Sequence, residues 1–259
     1  MKIAITGKGG VGKTTLSAVL AHIFASEGKR VIAVDADPDA NLPQALGIPA
    51  DEMSKIIPIG EMQDLIEERT GAKRGQSGGI FRLNPKVDDI ADIFGYRFRG
   101  INVIMLGRQK SANAGCYCPE NVLLKRFLRH LITERDEVVI VDMEAGIEHM
   151  TRGTAEGVDA FVVVVEPGRR SIQTAKSIND MARALGVKDV FVVVNKIRTK
   201  EDLDYITAQT NDLNIIGYIH HHKSVVDADM CGQSPFDVSK EIVKEVQMIK
   251  DNILSNEDL

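Results

Sequence analysis

The sequence predicts an α/β fold, with one doubly wound, mainly parallel sheet of seven strands and helices on both faces. Short β-rich runs alternate with helical patterns along nearly all of the 259 residues. Several of these runs are almost continuous Val and Ile, which is typical of strands that helices cover on both faces. Right-handed crossover connections between such strands produce a doubly wound sheet.

The strands are predicted at the apolar runs KIAIT, RVIAVD, INVIML, EVVIVD, DAFVVVV, DVFVVVN and NIIGYI, residues 2–6, 30–35, 101–106, 137–142, 159–165, 189–195 and 214–219. Helical patterns lie between most of them and predict helices over 13–27, 60–69, 119–133, 171–184, 199–210 and 238–254. The helix at 119 begins with Pro and Glu, which are favoured in a first turn.

No second core, internal repeat or low-complexity linker is visible in the sequence. Residues 1–259 are therefore expected to form one domain. The least regular part, at about 70–100, is expected to be a surface insertion around a short strand at 80–83.

The composition indicates a cytoplasmic protein. The formal net charge of −5 argues against a nucleic-acid partner, because such partners usually bind a basic face. No run of about 18 apolar residues predicts a membrane span, and the stretch MKIAITGKGG lacks the apolar core of a signal peptide. Three cysteines without framework spacing suit a reducing compartment. We therefore expect no nucleic-acid and no membrane partner.

The stretch GKGGVGKT, residues 7–14, fits the phosphate-binding pattern G-x-x-x-x-G-K-[ST] between the first strand and the first helix. Glycines let backbone N–H groups turn onto phosphate oxygens, and the helix N-terminus adds partial positive charge. Lys13 is expected to reach the β- and γ-phosphates, and the Thr14 hydroxyl to bind Mg²⁺. The predicted nucleotide-binding residues of this P-loop are Gly9, Gly10, Val11, Gly12, Lys13, Thr14 and Thr15.

A second lysine in the P-loop, Lys8, produces the pattern K-G-G-x-G-K-[ST]. This pattern resembles the deviant Walker A motif of the MinD/ParA/nitrogenase iron-protein group of ATPases. The resemblance implies ATP with Mg²⁺, and a homodimer in which Lys8 crosses the interface to the partner's nucleotide. It assigns catalysis to Asp37, Lys13 and Lys8.

Two acidic stretches extend the resemblance. VDADPDAN, 34–41, matches the family's switch I, in which Asp37 positions the attacking water and Asp35 and Asn41 support the Mg²⁺ site. VVIVDMEAGIEH, 138–149, resembles a Walker B strand joined to switch II. It implies Asp142 near Mg²⁺ and Gly146 near the γ-phosphate, although Glu144 stands where the family often has proline.

The stretch VVVNKI, 192–197, resembles the family's base-recognition strand end. Asn195 is expected at the adenine edge, because an amide side chain can donate and accept at once. Arg198 stands where guanine readers usually have aspartate, in keeping with ATP.

Cys116 and Cys118 stand one residue apart in the stretch AGCYCPE. A disulfide between them would close a small, strained ring, whereas local redox chemistry and inert packing of the two thiols stay open. A metal that takes four thiolates needs two such pairs. The dimer implied by the resemblance would bring two pairs together across a two-fold axis.

Together with EAGIEHMTRGTA and VEPGRRSIQTA, these motifs resemble the CooC-type accessory ATPases, which assist nickel insertion into carbon monoxide dehydrogenase. The resemblance implies Ni²⁺, with Zn²⁺ as the alternative, at Cys116 and Cys118 shared between subunits. The client would be carbon monoxide dehydrogenase or acetyl-CoA synthase, whose related ATPase has the same design. His149 stands where the nitrogenase iron protein has a cluster cysteine, which argues against an electron-transferring iron protein.

Two other functions stay open. A positioning ATPase of the MinD or ParA type would need a membrane-binding tail or a basic face, and the balanced charge of KEIVKEVQMIKDNIL suits packing better. An iron–sulfur scaffold ATPase would need C-x-x-C near the end, where the chain has only Cys231. The histidines His220, His221 and His222 are expected in a solvated loop.

Overall fold

The computed structural model of the protein describes residues 1–72, 81–107, 119–144, 155 and 157–257. In these ranges one sheet contains eight strands in the order β3-β4-β2-β5-β1-β6-β7-β8, and only the β3–β4 pair is antiparallel. The strands are β1 (Lys2–Thr6), β2 (Val31–Ala36), β3 (Tyr96–Phe98), β4 (Ile101–Met105), β5 (Val138–Met143), β6 (Ala160–Val165), β7 (Val190–Ile197) and β8 (Ile215–His220). The predicted α/β class and mainly parallel sheet are confirmed, whereas the predicted number of seven strands is wrong.

The additional strand is β3, at one edge of the sheet. It has three residues and pairs with β4, with Phe98 opposite Ile101. Arg99 and Gly100 form the connection, with φ values of 48° and 82°, as in tight hairpin turns. Arg-Gly is not one of the usual hairpin dipeptides, and three residues show no alternation, so the sequence prediction missed this hairpin.

The predicted helices are present in the described ranges, with their ends shifted by a few residues, and shorter helices join them. The helices are α1 (Lys13–Ser26), α2 (Leu42–Ala45), α3 (Gln63–Thr70), α4 (Ile90–Phe94), α5 (Pro119–Thr133), α6 (Arg169–Ala184), α7 (Lys200–Gln209), α8 (Lys223–Cys231), α9 (Pro235–Val238) and α10 (Lys240–Glu257). Two 3-10 turns lie at Met53–Lys55 and Ile59–Glu61. Among the helices described here, none has the length and apolar character that a membrane crossing requires.

Helices cover both faces of the sheet and form a separate apolar core on each. One core joins α1, α2 and α10 to the sheet, and the other joins α3, α5, α6 and α7 to the opposite face. Neighbouring strand residues point into different cores: Ile140 and Val141 of β5 do so, as do Val162 and Val163 of β6. This alternation explains the continuous apolar runs, because each strand needs apolar residues on both sides.

In the described part of the segment at 70–100, a few apolar residues are buried in the core that contains α3 and α5. Val87, Ile90 and Ala91 are at most 2% exposed, and Asp89 accepts two hydrogen bonds of 2.9 Å from Arg69 of α3. Residues 81–83 form no strand, so that part of the strand predicted at 80–83 is wrong, and Ile80 lies outside the described residues.

Candidate functional site

The carboxyl ends of the parallel strands meet at one edge of the sheet, where open α/β sheets bind ligands. A cleft of about 530 Å³ opens there between the P-loop, the segment after β2 and the helix α8. Its lining includes the P-loop residues Gly9, Gly10, Gly12, Lys13, Thr14 and Thr15, the acidic-loop residues Asp37, Asp39 and Asn41, and Lys196 near the end of β7. The structure therefore brings together most of the predicted nucleotide residues.

The backbone of the P-loop depends on glycine at two positions. Gly7 has φ of 147°, and a Cβ atom there would lie 2.4 Å from the carbonyl oxygen of Val164. Gly12 has φ of 97°, and its Cβ atom would lie 2.2 Å from Asn195 Nδ2. Glycine is required at both positions by space as well as by conformation, and α1 begins directly after Gly12. The P-loop is thus fixed between β6, β7 and the first turn of α1.

Lys13 and Asp37 face each other across the cleft. Lys13 Nζ lies 3.8 Å from Asp37 Oδ2, and only 6% of the Lys13 side chain is exposed. The other oxygen of Asp37 accepts the N–H of Asp39 at 3.0 Å. The carboxylate is therefore held beside the position where a γ-phosphate would meet Lys13.

Asp35 organises the loop that carries Asp37. Its two carboxylate oxygens accept the N–H groups of Leu42 at 2.9 Å and of Asp37 at 3.2 Å. Burial of Asp35 raises its pKa to about 7, against the effect of the hydrogen bond from Leu42. It closes the turn from β2 into α2, and its support of the Mg²⁺ site stays a prediction.

Asp142 is the buried carboxylate at the end of β5. It stands opposite Asp35 in the sheet register and is fully buried. Neither oxygen accepts a hydrogen bond of good geometry among the described residues, although the Thr14 and Ser17 hydroxyls lie close enough to lower its pKa. Burial raises its pKa to about 6, while the nearby Thr14 hydroxyl and Lys13 ammonium act in the opposite direction. A buried carboxylate with no well-aligned hydrogen bond is costly. Asp142 and Thr14 are the residues that would hold Mg²⁺ at this edge of the cleft.

Asn195 lies against the P-loop rather than in the cleft. It is 7% exposed, donates from Nδ2 to the carbonyl oxygen of Val11 at 2.8 Å, and accepts the N–H of Lys196 at 2.7 Å. The side chain of Val11, although part of the P-loop, is buried. The role of Asn195 at the adenine edge stays a prediction, because both ends of its amide are engaged within the chain.

The far wall of the cleft is formed by α8 and the turn after it, which the sequence prediction did not find. Val225, Val226, Asp229 and Gln233 line this wall. Only Ala228 of α8 is buried, so the helix shows no apolar periodicity. Gly232, with φ of 64° at its C-terminus, is a helix-stop signal that could have revealed it.

The solvated loop predicted at 220–222 is confirmed in part: His220 and His221 are exposed, but Glu245 holds the connection in an ordered junction. His220 ends β8 and His222 precedes α8. Both donate to Glu245 of α10, from Nδ1 of His220 at 2.7 Å and from Nε2 of His222 at 2.8 Å. Glu245 therefore attaches the start of α8 to the C-terminal helix. His221 is exposed.

The predicted metal ligands Cys116 and Cys118 lie outside the described residues, as do Gly146 and His149. In the ranges that the structure does describe, no group of three or more His, Cys, Asp or Glu side chains is arranged to hold a metal ion. Cys231 is an exposed, free thiol at the end of α8. Lys8 is half-buried in the P-loop.

The chain is similar to known nucleotide-binding proteins along most of its length. The family model "CobQ/CobB/MinD/ParA nucleotide binding domain" matches residues 2–236. The chain is 46% identical over 239 residues to the carbon monoxide dehydrogenase accessory protein CooC of Rhodospirillum rubrum, covering 92% of this chain and 90% of that protein. It is 44% identical over 256 residues to an ATP-binding protein of Methanocaldococcus jannaschii, covering 98% of each.

Solved structures agree in fold. The ParA family ATPase of Chlorobium tepidum TLS superposes with a TM-score of 0.70 at 16% identity, covering 98% of this chain and 97% of that one. The MinD cell division protein of Aquifex aeolicus has a TM-score of 0.65 at 21% identity, covering 100% and 98%. With its P-loop, its paired acidic strands and its relatives at 44–46% identity, the chain belongs to the CobQ/CobB/MinD/ParA family of P-loop ATPases and is a relative of CooC.

Proposed function

We propose that the protein is an ATP-hydrolysing metallochaperone that assists nickel insertion into the metal cluster of carbon monoxide dehydrogenase or acetyl-CoA synthase. The observation that carries this proposal is the 46% identity to CooC over 92% of the chain. The geometry of the cleft supports the ATPase half of it. The cysteine pair supports the metal half.

In the ATPase half, the P-loop N–H groups and Lys13 bind the phosphates, and Thr14 with Asp142 would hold Mg²⁺. Bound there, Mg²⁺ would neutralise charge on the β- and γ-phosphates. Asp37 orients the attacking water, since its carboxylate already lies 3.8 Å from Lys13 Nζ at the end of the phosphate site. Lys8 stabilises developing phosphate charge from the partner subunit of a homodimer.

In the metal half, Cys116 and Cys118 of two subunits supply four thiolates to one Ni²⁺ or Zn²⁺ ion. Soft thiolate ligands accept either metal. Sharing the ion across the dimer would link metal binding to nucleotide state, because the same interface closes on ATP. Hydrolysis would then open the interface and release the ion to the client enzyme.

A positioning ATPase of the MinD type is the second candidate, favoured by the fold of the structural neighbours. One observation opposes a membrane-binding tail at α10. Ile242, Val246, Ile249 and Ile253 are at most 2% exposed and belong to the core beside α1. The apolar face of α10 is therefore already buried within the chain and is not available to a bilayer.

The experiment is nickel-dependent activation of carbon monoxide dehydrogenase in cells that lack this protein, grown at limiting nickel. Wild type is expected to restore activity, whereas Asp37→Asn and the double variant Cys116→Ser/Cys118→Ser are not. Cys231→Ser serves as the matched cysteine control and is expected to restore activity. Restoration by the double variant would contradict the proposal, as would tight ATP-dependent binding of the wild type to liposomes or DNA without an effect on activation.

A further inference from the structure

The end of β7 contains an irregular step beside the P-loop. The pairing of β7 with β8 changes register between Val194 and Ile197. Lys196 has φ of 60°, in the left-handed region that residues other than glycine seldom adopt. In a regular strand the neighbours Asn195 and Lys196 would point to opposite faces of the sheet. A bulge of this kind re-aims side chains and is common next to active sites.

The result is that both side chains reach the P-loop. Asn195 Nδ2 donates to the carbonyl oxygen of Val11 at 2.8 Å, and Lys196 Nζ donates to the carbonyl oxygen of Gly10. Glu166, which follows β6, also accepts from Lys196 Nζ, at 3.3 Å. Two consecutive carbonyl groups of the P-loop are therefore held from the same strand end.

Holding these carbonyl groups fixes the direction of the N–H groups that follow them. A trans peptide is planar, so the C=O of one residue and the N–H of the next point in opposite directions. The N–H of Gly12 is thus turned away from β7, and the N–H of Val11 closes the turn on the Lys8 carbonyl at 3.4 Å.

We propose that Lys196, held by Glu166, is a positioning residue that keeps the P-loop in the conformation that receives the β- and γ-phosphates. The inference rests on the proposed ATP-binding function. Lys196 lines the cleft together with Gly10, and its amine donates to the P-loop carbonyl of Gly10. Strained backbone that is held by surrounding contacts at a ligand site suits such a role.

The test compares Lys196→Met and Glu166→Gln with the control Lys188→Met, an exposed lysine in the turn before β7. Dissociation constants are measured for AMP, ADP and a non-hydrolysable ATP analogue. Lys196→Met is expected to weaken binding of the ATP analogue about five- to tenfold, which corresponds to the net contribution of one ordinary hydrogen bond. The loss should increase from AMP to ADP to ATP, because it acts through the phosphates. Glu166→Gln should show a smaller loss in the same order, and Lys196→Arg should recover part of the affinity.

Unchanged affinities in Lys196→Met would overturn the inference. So would an equal loss for AMP and the ATP analogue, which would place Lys196 at the base or in a purely structural role. A wild-type protein that binds no ATP would instead overturn the proposed function. The two failures are therefore distinguishable in one set of titrations.

Discussion

Lys13 Nζ lies 3.8 Å from Asp37 Oδ2, so the P-loop lysine is paired with the carboxylate assigned to the attacking water. Lys13 is 6% exposed, and a buried cation needs a nearby opposite charge. A γ-phosphate would supply that charge in place of Asp37. We therefore expect the pair to separate when ATP binds, which would free Asp37 for the water.

Asp37→Asn is expected to lower kcat for ATP hydrolysis about 10²-fold, because the neutral amide orients the attacking water less well than the carboxylate does. Its affinity for ATP should be equal to or higher than that of wild type, since a negative charge leaves the phosphate site. Steady-state kinetics and equilibrium binding measure the two quantities separately. Asp51→Asn, in an exposed loop, is the control, and an unchanged kcat in Asp37→Asn would remove Asp37 from catalysis.

Asp142→Asn is expected to stabilise the nucleotide-free protein at about pH 7.5 while it weakens Mg²⁺-dependent nucleotide binding. The pKa of Asp142 is raised from 3.8 to about 6 by burial, so the folded state binds the proton more tightly than the unfolded state does. The contribution of Asp142 to stability is therefore full below pH 3.8 and is lost as the pH rises to about 6. Asparagine removes that cost.

The check is the unfolding temperature of Asp142→Asn and wild type across this range. The variant should unfold a few degrees higher at about pH 7.5, and the difference should become smaller toward about pH 5. The charge of Asp142 also contributes to the raised pKa of Asp35, about 7, so Asp142→Asn should lower the pKa of Asp35 as well, and the pH-dependent difference reports on the coupled pair. A pH-independent difference would show that the charge of Asp142 is not the cause.

The fold was largely predictable, because buried parallel strands leave continuous apolar runs. The strands β5 and β6 could be predicted for this reason, because every residue in them is buried. The hairpin of β3 was not, since its three residues are partly exposed and its pairing depends on the turn at Arg99. The helix α8 was missed for a related reason: its position is set by Glu245 and Gly232 rather than by an apolar stripe.

Within the site, the P-loop and the acidic residues beside it were predictable from the sequence. The spacing of GKGGVGKT fixes Lys13 and Thr14 on the first turn of α1. The orientation of Asn195 was not predictable, because it depends on a bulge and on the positive φ of Lys196. Such backbone irregularities are decided by contacts between distant segments, here β7 and the P-loop, and leave no pattern within either segment.

Lys8→Ala is expected to bind ATP but to stay monomeric in its presence. Lys8 lies half-buried in the P-loop, and its proposed role is to contact the nucleotide of the partner subunit. Light scattering of the protein with a non-hydrolysable ATP analogue measures the mass directly. Lys29→Ala, an exposed lysine after α1, should dimerise like wild type. If Lys8→Ala dimerises as tightly as the wild type does, Lys8 does not have the proposed role at the dimer interface.

Glu245→Gln is expected to weaken the junction between α8 and α10. Its carboxylate accepts hydrogen bonds from both His220 and His222. Losing the charge should lower the free energy of unfolding by about 1 kcal/mol and ATP affinity by a small factor, because α8 is a wall of the cleft. Met248→Ala on the same helix, 66% exposed, is the control, and an unchanged ATP affinity would separate α8 from nucleotide binding.

In the proposed dimer, two subunits share one metal ion through their cysteine pairs. Equilibrium dialysis against Ni²⁺ or Zn²⁺ with ATP analogue bound, followed by metal and protein analysis, measures the stoichiometry directly. We expect one ion for two chains, with binding lost in Cys116→Ser/Cys118→Ser and retained in Cys231→Ser. One ion per chain, or unchanged binding in the double variant, would contradict the shared site.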